Sequence, residues 1–472
     1  MINQKHSNVE QWLGIPYAKA ERFQKPVKID FDSNQDYSKS GPAAMQTISL
    51  DWLMSDQGMS EDCLNLSIWA PVNRTKPLPI AVYIHGGGWT YGSNTQDNSD
   101  MSGLVSSGEV IGVAINYRLG ALGWLSLSQY GGSLKDATNL GMQDIVVALE
   151  WIQENISKFG GNPNQVTLTG HSAGAYNSLA LLGVKGTEGL FNRIAAFSGF
   201  PSRYIPRWFA EELAYMTMKK LKVKDPEELL TIDADKILRA TASCLSKDSI
   251  ELHGIDNKNI GMVADWDIPN GAFEDNPQNV IKSGQCKDID ILISSTTDEV
   301  GWYVLNNPDG FDKGDVDNLI NEMVENSHVP RLQAKNIFDF HKQEGMSNVE
   351  LRSSVYTSLN FILPATRAIL NHAKAGGRAY QLSIGPSEGS PAVHGTEMYG
   401  IVGQVQPGAS EDQVKRDQFV TETVLNMTLG KFDKMWNPVI DKVEVKDIGH
   451  RPYEGTVYNK QILELFSGID RT

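Results

Sequence analysis

Gln165-Val166-Thr167-Leu168-Thr169-Gly170-His171-Ser172-Ala173-Gly174 is the stretch on which the reading of the whole chain turns. Its first five residues are a β-branched and apolar run that suits a buried strand. An Ala- and Leu-rich stretch follows to about residue 182 and suits a helix. Between the two, Gly-x-Ser-x-Gly makes a turn so tight that side chains at its flanks would collide, which is why glycines stand there. A strand, a turn and a helix with serine at the apex hold one hydroxyl at the edge of a sheet, the arrangement called a nucleophile elbow. The bare pentapeptide also occurs in ordinary Gly-Ser turns; the strand before it and the helix after it raise it above chance.

Similar short runs at 79–84, 110–117, 194–197, 289–294 and 378–382 predict further buried strands. Leu140, Ile145, Val146, Leu149, Ile152 and Ile156 recur at helical spacing and predict an amphipathic crossover helix just upstream of the elbow. Alternation of this kind builds a central, mostly parallel sheet with helices on both faces, an α/β fold. Two stretches, about 202–287 and 303–375, break the rhythm and read mostly as helix. Asp225-Pro226-Glu227-Glu228 starts one such helix, with a capping Asp, Pro in the first turn and acidic residues near the positive end of the dipole. Insertions placed after strand ends form the substrate pocket in such sheets. Length alone suggests about three domains, yet no Gly/Ser- or Pro-rich linker divides the 472 residues. Residues 1–472 are therefore expected to form one domain. A helical pattern over 459–466 leaves monomer and homodimer equally open.

Composition narrows the function classes. Apolar side chains make up 40% of the chain, the ordinary globular range once glycine is added, so disorder and fibrous structure are excluded. The longest unbroken apolar stretch, Leu78–Ile84, is far short of the roughly 20 residues that span a bilayer, and no membrane association is expected. With 57 acidic against 42 basic side chains the formal net charge is −15, which argues against a nucleic-acid partner. Cys63, Cys244 and Cys286 are too few and too scattered for a disulfide framework or a metal site. The first residues carry no apolar signal segment. These features point to the cytoplasm and to a site with no metal and no cofactor.

A serine hydroxyl is a poor nucleophile and needs a base, which in turn needs an orienting acid. Of nine histidines, His394 lies in Ala392-Val393-His394-Gly395-Thr396-Glu397, a loop after the 378–382 strand, where an imidazole stands at the carboxyl edge of the sheet. His85 and His171 sit within tight turns and suit a shaping role. Thr296-Thr297-Asp298-Glu299 ends the 289–294 strand and offers Asp298 or Glu299 as the acid. The order Ser, acid, His is that of the α/β-hydrolase fold. A tetrahedral intermediate needs donors aimed at its oxygen. Ile84-His85-Gly86-Gly87-Gly88-Trp89 follows an apolar strand, and its glycines let backbone N–H groups approach a ligand. Gly87, Gly88 and the N–H of Ala173 are the expected oxyanion hole. A phosphate cradle is disfavoured, since no Lys-Ser/Thr follows the glycines.

Further segments now matter together: Gly14-Ile15-Pro16-Tyr17-Ala18, Glu61-Asp62-Cys63-Leu64-Asn65-Leu66-Ser67-Ile68-Trp69-Ala70-Pro71, Asn116-Tyr117-Arg118-Leu119-Gly120, Asn139-Leu140-Gly141-Met142-Gln143-Asp144 and Phe159-Gly160-Gly161-Asn162-Pro163. With the elbow, Asp298-Glu299 and His394-Gly395-Thr396-Glu397, the chain resembles the type-B carboxylesterases, a family that includes the bacterial para-nitrobenzyl esterase-like enzymes and the cholinesterases. The resemblance runs in order over most of the chain. It implies an α/β-hydrolase fold with Ser172, Glu299 and His394 as triad and Gly87, Gly88 and Ala173 as oxyanion hole. The cysteine that pairs with Cys63 in secreted members has no counterpart in Ala43-Ala44-Met45-Gln46. His171 stands where cholinesterases carry a Glu that favours cationic substrates. The segment between Met45 and Cys63, where lipases of the family carry a long lid, is short. Trp52 and Trp89 fall near the expected site mouth, Trp52 one position from a cation-binding Trp of cholinesterases.

The expectation that results is a serine carboxylesterase acting on a small-molecule ester, with short to medium-chain or aryl groups, through an acyl-enzyme. A non-catalytic binding or adhesion homologue, and the same triad acting on amides, carbamates or thioesters, are the alternatives.

Overall fold

The computed structural model describes residues 2, 3, 5–47, 55–245, 260–306, 312–450 and 454–469. Among them nine strands form one sheet: β1 (Val9–Pro16), β2 (Asn65–Pro71), β3 (Leu78–Ile84), β4 (Ile111–Ile115), β5 (Gly161–His171), β6 (Arg193–Phe197), β7 (Asp290–Thr296), β8 (Ala379–Ile384) and β9 (Lys446–Ile448). Their order across the sheet is β1-β2-β4-β3-β5-β6-β7-β8-β9. β2 pairs antiparallel with β1 and with β4, and every pairing from β4 to β9 is parallel. The expected mostly parallel α/β sheet is thus observed, with an antiparallel edge.

All six expected strands are present with shifted ends. The 110–117 run stops at Ile115 as a strand, although the Asn116 N–H still bonds the Asn65 carbonyl at the start of β2. β1, β2 and β9 were not expected: β1 is interrupted by Gly14 and a register shift, and β9 has only three residues.

Alternate residues of one strand serve opposite faces. Ile80, Val82 and Ile84 of β3 belong to one hydrophobic layer and Ala81 and Tyr83 to the other. On the first face lie α1 (Leu140–Asn155), α2 (Ala173–Ala180) and α3 (Leu363–Lys374). The second face is covered by α4 (Glu411–Thr428), whose Val420, Val424 and Met427 pack with Ala195, Leu292 and Tyr380. A sheet buried on both sides reads as near-continuous apolar runs, which is why its central strands were legible.

The two insertions differ. Among its described residues the second is mostly helical, with Val316–Ser327, Arg331–His341, Asn348–Thr357, a π turn at Ser358–Ile362, then α3. The first holds helices at Arg207–Leu221 and Ala234–Cys244 but irregular chain from 260 to 276, which corrects its mostly helical reading. The helix expected from Asp225 has its capping box, yet Pro226–Leu230 is a single 3-10 turn. Good capping starts a helix; without an apolar stripe to bury it does not extend one.

The fold decides where chemistry can sit. Strand order reverses at β3, whose neighbours are β4 and β5, and ligands of doubly wound sheets bind outside the carboxyl ends at such a point. The glycine loop leaves β3 there and the elbow leaves β5.

Candidate active site

Ser172 joins β5 to α2 with φ 55° and ψ −123°, a strained conformation for a residue with a side chain. Close packing compels the glycine after it: a Cβ on Gly174 would lie 1.9 Å from the Ile84 carbonyl oxygen of β3. The glycine loop presses on the same turn. A Cβ on Gly86 would come within 2.6 Å of the His171 carbonyl oxygen and 3.3 Å of the Ser172 Cβ. Gly86 therefore packs directly against the serine turn, and Gly87 and Gly88 follow it in the same loop. Among the described residues the N–H groups of Gly87, Gly88 and Ala173 have no hydrogen-bond acceptor in the protein. Trp89 follows with φ 60°, is 3% exposed and donates its indole N–H to Asn177 Oδ1 at 2.9 Å.

His394, in the loop after β8, completes the approach. Its Nε2 lies 2.8 Å from Ser172 Oγ and its Nδ1 2.6 Å from Glu299 Oε2. The tautomer that satisfies both carries its proton on Nδ1, donates to Glu299 and accepts from serine. Glu299 is fully buried, and its Oε1 accepts the Thr296 N–H and the Ser198 hydroxyl, each at 2.7 Å. Asp298 turns away to accept from Ser353. Of the two acids the sequence offers, Glu299 is the one whose oxygen lies within reach of the imidazole. A backbone bond from Asp298 N to Ala392 O at 3.1 Å ties the acid loop to the histidine loop and fixes their separation.

His171, the last residue of β5, packs its ring against that of His394 with centroids 4.5 Å apart. Burial, helped by the neighbouring imidazole, holds its pKa well below the usual histidine value, so a neutral ring lies behind His394. His85 is likewise buried and lowered to about 4; it bonds the Gly86 carbonyl through Nδ1 and stacks on Tyr117. It shapes the glycine loop. Trp52 lies outside the described residues.

Two residues that the sequence did not reveal complete the polar core. Ser198, just past β6 with φ 55°, bonds the Oε1 atoms of both Glu299 and Glu397. Glu397 is fully buried; burial and the charge of Glu299 push its carboxyl up to about 7. One hydroxyl proton serves one acceptor at a time, so the second carboxyl is the protonated one and donates to Ser198 in turn. The resulting chain runs Glu397 to Ser198 to Glu299, with His394 on the other Glu299 oxygen.

Such an arrangement can draw a proton from a serine hydroxyl onto an imidazole and stabilise the charge that forms. The Carboxylesterase family profile matches residues 1–457. The chain belongs to the carboxylesterase family. Carboxylesterase relatives include the para-nitrobenzyl esterase of Bacillus subtilis (strain 168), 33% identical over 64% of this chain and 61% of that protein. The juvenile hormone esterase of Heliothis virescens is 32% identical over 61% of this chain and 53% of that protein. The acetylcholinesterase of Bungarus fasciatus is 29% identical over 79% and 65%. These relatives are matched over less than two thirds of their own length. Among solved carboxylesterases, one from Geobacillus stearothermophilus superposes with TM-score 0.84 at 26% identity, over 98% of this chain and 97% of that one. A PNB esterase structure superposes with TM-score 0.77 at 26% identity, over 97% and 96%. The α/β-hydrolase fold is common to them and to this chain.

Proposed function

We propose that the protein is a serine carboxylesterase that hydrolyses short to medium-chain or aryl esters through an acyl-enzyme. The observation that carries this reading is the unbroken line Ser172 Oγ, His394 Nε2, His394 Nδ1, Glu299 Oε2, with contacts of 2.8 and 2.6 Å. Ser172 attacks the ester carbonyl carbon while its proton passes to His394 Nε2. Glu299 keeps the imidazole oriented and stabilises the imidazolium. The oxygen that becomes negative is met by the N–H groups of Gly87, Gly88 and Ala173, a role supported by their having no acceptor among the described residues. Collapse breaks the acyl C–O bond, and the departing alcohol takes the proton from His394. Water then repeats the sequence on the acyl-enzyme and frees the acid.

His171 supplies no negative charge beside the nucleophile, which favours substrates without a cationic group. The chain acts as one catalytic domain. Cys63 and Cys286 are buried, and burial pushes their thiols up to about 12 and about 11, which suits the reducing cytoplasm. Among the described residues no helix is long and apolar enough to cross a membrane. The test is hydrolysis of 4-nitrophenyl esters from acetate to palmitate by wild type and Ser172→Ala. Turnover concentrated on short chains and lost in the variant is expected; no turnover on any chain length would overturn the reading.

A further inference from the structure

The serine and imidazole stand within a wall of aromatic rings. Tyr176, one turn beyond Ser172 on α2, lies 5.7 Å from Trp89 and meets Phe200 edge-on at 4.9 Å. Phe200 meets Phe361 at 6.1 Å, and Phe361, carried by the π turn, lies 5.5 Å from the His394 ring. Tyr303 stacks on the same imidazole at 6.4 Å. Such a wall suits an acyl chain or an aryl group, and nothing in it calls for charge.

One cation is nevertheless set into it. The Arg203 guanidinium lies 5.4 Å from the Tyr176 ring centroid and 5.8 Å from that of Trp89. It is near enough for its charge to act on the Tyr303 phenol as well. Among the described residues Arg203 has no carboxylate partner, although the chain carries 57 acidic side chains. Glu299, whose charge also reaches Tyr176 and Tyr303, has both oxygens engaged by His394, Ser198 and Thr296. Tyr176, 3% exposed and within hydrogen-bonding reach of the guanidinium, and Ser202, the residue before Arg203 in the chain, bury hydroxyls whose protons find no acceptor. Burial raises the Tyr176 phenol well above its usual range, so it remains a donor at any working pH. A guanidinium without counter-ion, with the Tyr176 O–H beside it still free to donate, matches a planar anion of two oxygens.

We propose that this site takes esters that carry a free carboxylate, with Arg203 as its counter-ion and the Tyr176 and Ser202 hydroxyls completing the cradle. The inference rests on the hydrolase reading above and adds the substrate class to it. The carboxylate takes no part in bond making. Hydrolysis breaks the acyl C–O bond, the alcohol leaves with the proton from His394, and the second carboxylate emerges unchanged.

The test compares kcat/KM within two matched pairs. Mono-4-nitrophenyl adipate against 4-nitrophenyl hexanoate places the carboxylate on the acyl side; 4-acetoxybenzoate against phenyl acetate places it on the alcohol side. Wild type, Arg203→Leu, Arg203→Lys and Arg203→Glu are measured. A charge-assisted hydrogen bond at a part-buried site corresponds to a preference of about tenfold or more. The charged-to-neutral ratio of one pair should therefore fall at least about tenfold in Arg203→Leu, mostly through KM, fall further in Arg203→Glu and be largely kept in Arg203→Lys. The pair that responds assigns the side. Salt gives a readout without any variant, since the wild-type ratio should decline as KCl rises. Ratios unchanged across the variants and across salt in both pairs would overturn the proposal while leaving the esterase standing. Wild type inactive on all four esters would overturn the esterase reading, and this inference with it.

Discussion

Replacing Glu397 by Gln should change how the stability of the fold depends on pH, by an amount that follows from the site. The Glu397 carboxyl is fully buried, its Oε2 has no hydrogen-bond partner, and its Oε1 shares one hydroxyl with the negative Glu299. Burial first, and then the charge of Glu299, raise it from 4.5 to about 7, against the lowering effect of the Ser198 hydrogen bond. As pH climbs through this window the unfolded chain releases its Glu397 proton while the folded chain keeps it. The unfolded state gains, and stability declines. At about 1.4 kcal/mol for each tenfold difference in proton affinity, the decline totals roughly 3 kcal/mol and is complete just above pH 7. Gln cannot titrate, so Glu397→Gln lacks that decline. Buried histidines slope the other way: His85 and His341, both lowered to about 4, favour the fold as pH rises from 4 to 6.5. The two slopes overlap, so wild type alone can look flat. The difference between wild type and variant isolates Glu397. Urea unfolding of both at constant ionic strength, from pH 4.5 to pH 8, should show the variant gaining on wild type by about 3 kcal/mol across the range. Curves that run parallel would refute the neutral, buried carboxyl.

Glu299→Gln keeps the shape of the triad but loses the charge that stabilises imidazolium, so kcat on a 4-nitrophenyl ester should fall on the order of 10³–10⁴-fold with the fold intact by circular dichroism. His341 is buried between the Ile337 carbonyl and the Ser358 hydroxyl. In His341→Gln the stability loss of wild type on acidification from pH 6.5 to 4 should become shallower, read from urea midpoints. Arg118 grips Asp144 with Nε and a terminal nitrogen, at 2.8 and 2.7 Å, and both side chains are almost wholly buried. Asp144→Asn leaves that cation unpaired and should cost about 3–5 kcal/mol in urea unfolding; a cost below about 1 kcal/mol would contradict it. Gly174→Ala drives a methyl into the Ile84 carbonyl and should yield misfolded or inactive protein, read by solubility and turnover.

The central strands were legible because burial on both faces turns them into apolar runs bounded by turn residues. The elbow was legible because its glycines answer contacts that permit no Cβ. β1 and β9 escaped notice, one broken by a bulge near Gly14 and the other three residues long. The irregular chain at 260–276 was read as helix because propensity cannot register a segment held by tertiary bonds, here Asp265 accepting from Asn139, Ala272 and Phe273. Within the site, Ser172, His394 and the glycines each sit in a local pattern. Ser198 and Arg203 do not, and Glu397, although it ends the His394 segment, shows its role only through approach across the fold: Ser198 meets it from 199 residues away. The one local hint was the small Ser198-Gly199 pair directly after an apolar strand, matching the strand-end position of the elbow itself.

The central claim is that Ser172 is the nucleophile and His394 its base. Wild type, Ser172→Ala and His394→Ala should be incubated with a fluorophosphonate, and the products read by intact mass and peptide mapping. A single adduct on the Ser172 peptide of wild type is predicted, with none in Ser172→Ala and much slower labelling in His394→Ala. An adduct on another residue, or equal labelling of Ser172→Ala, would contradict the account.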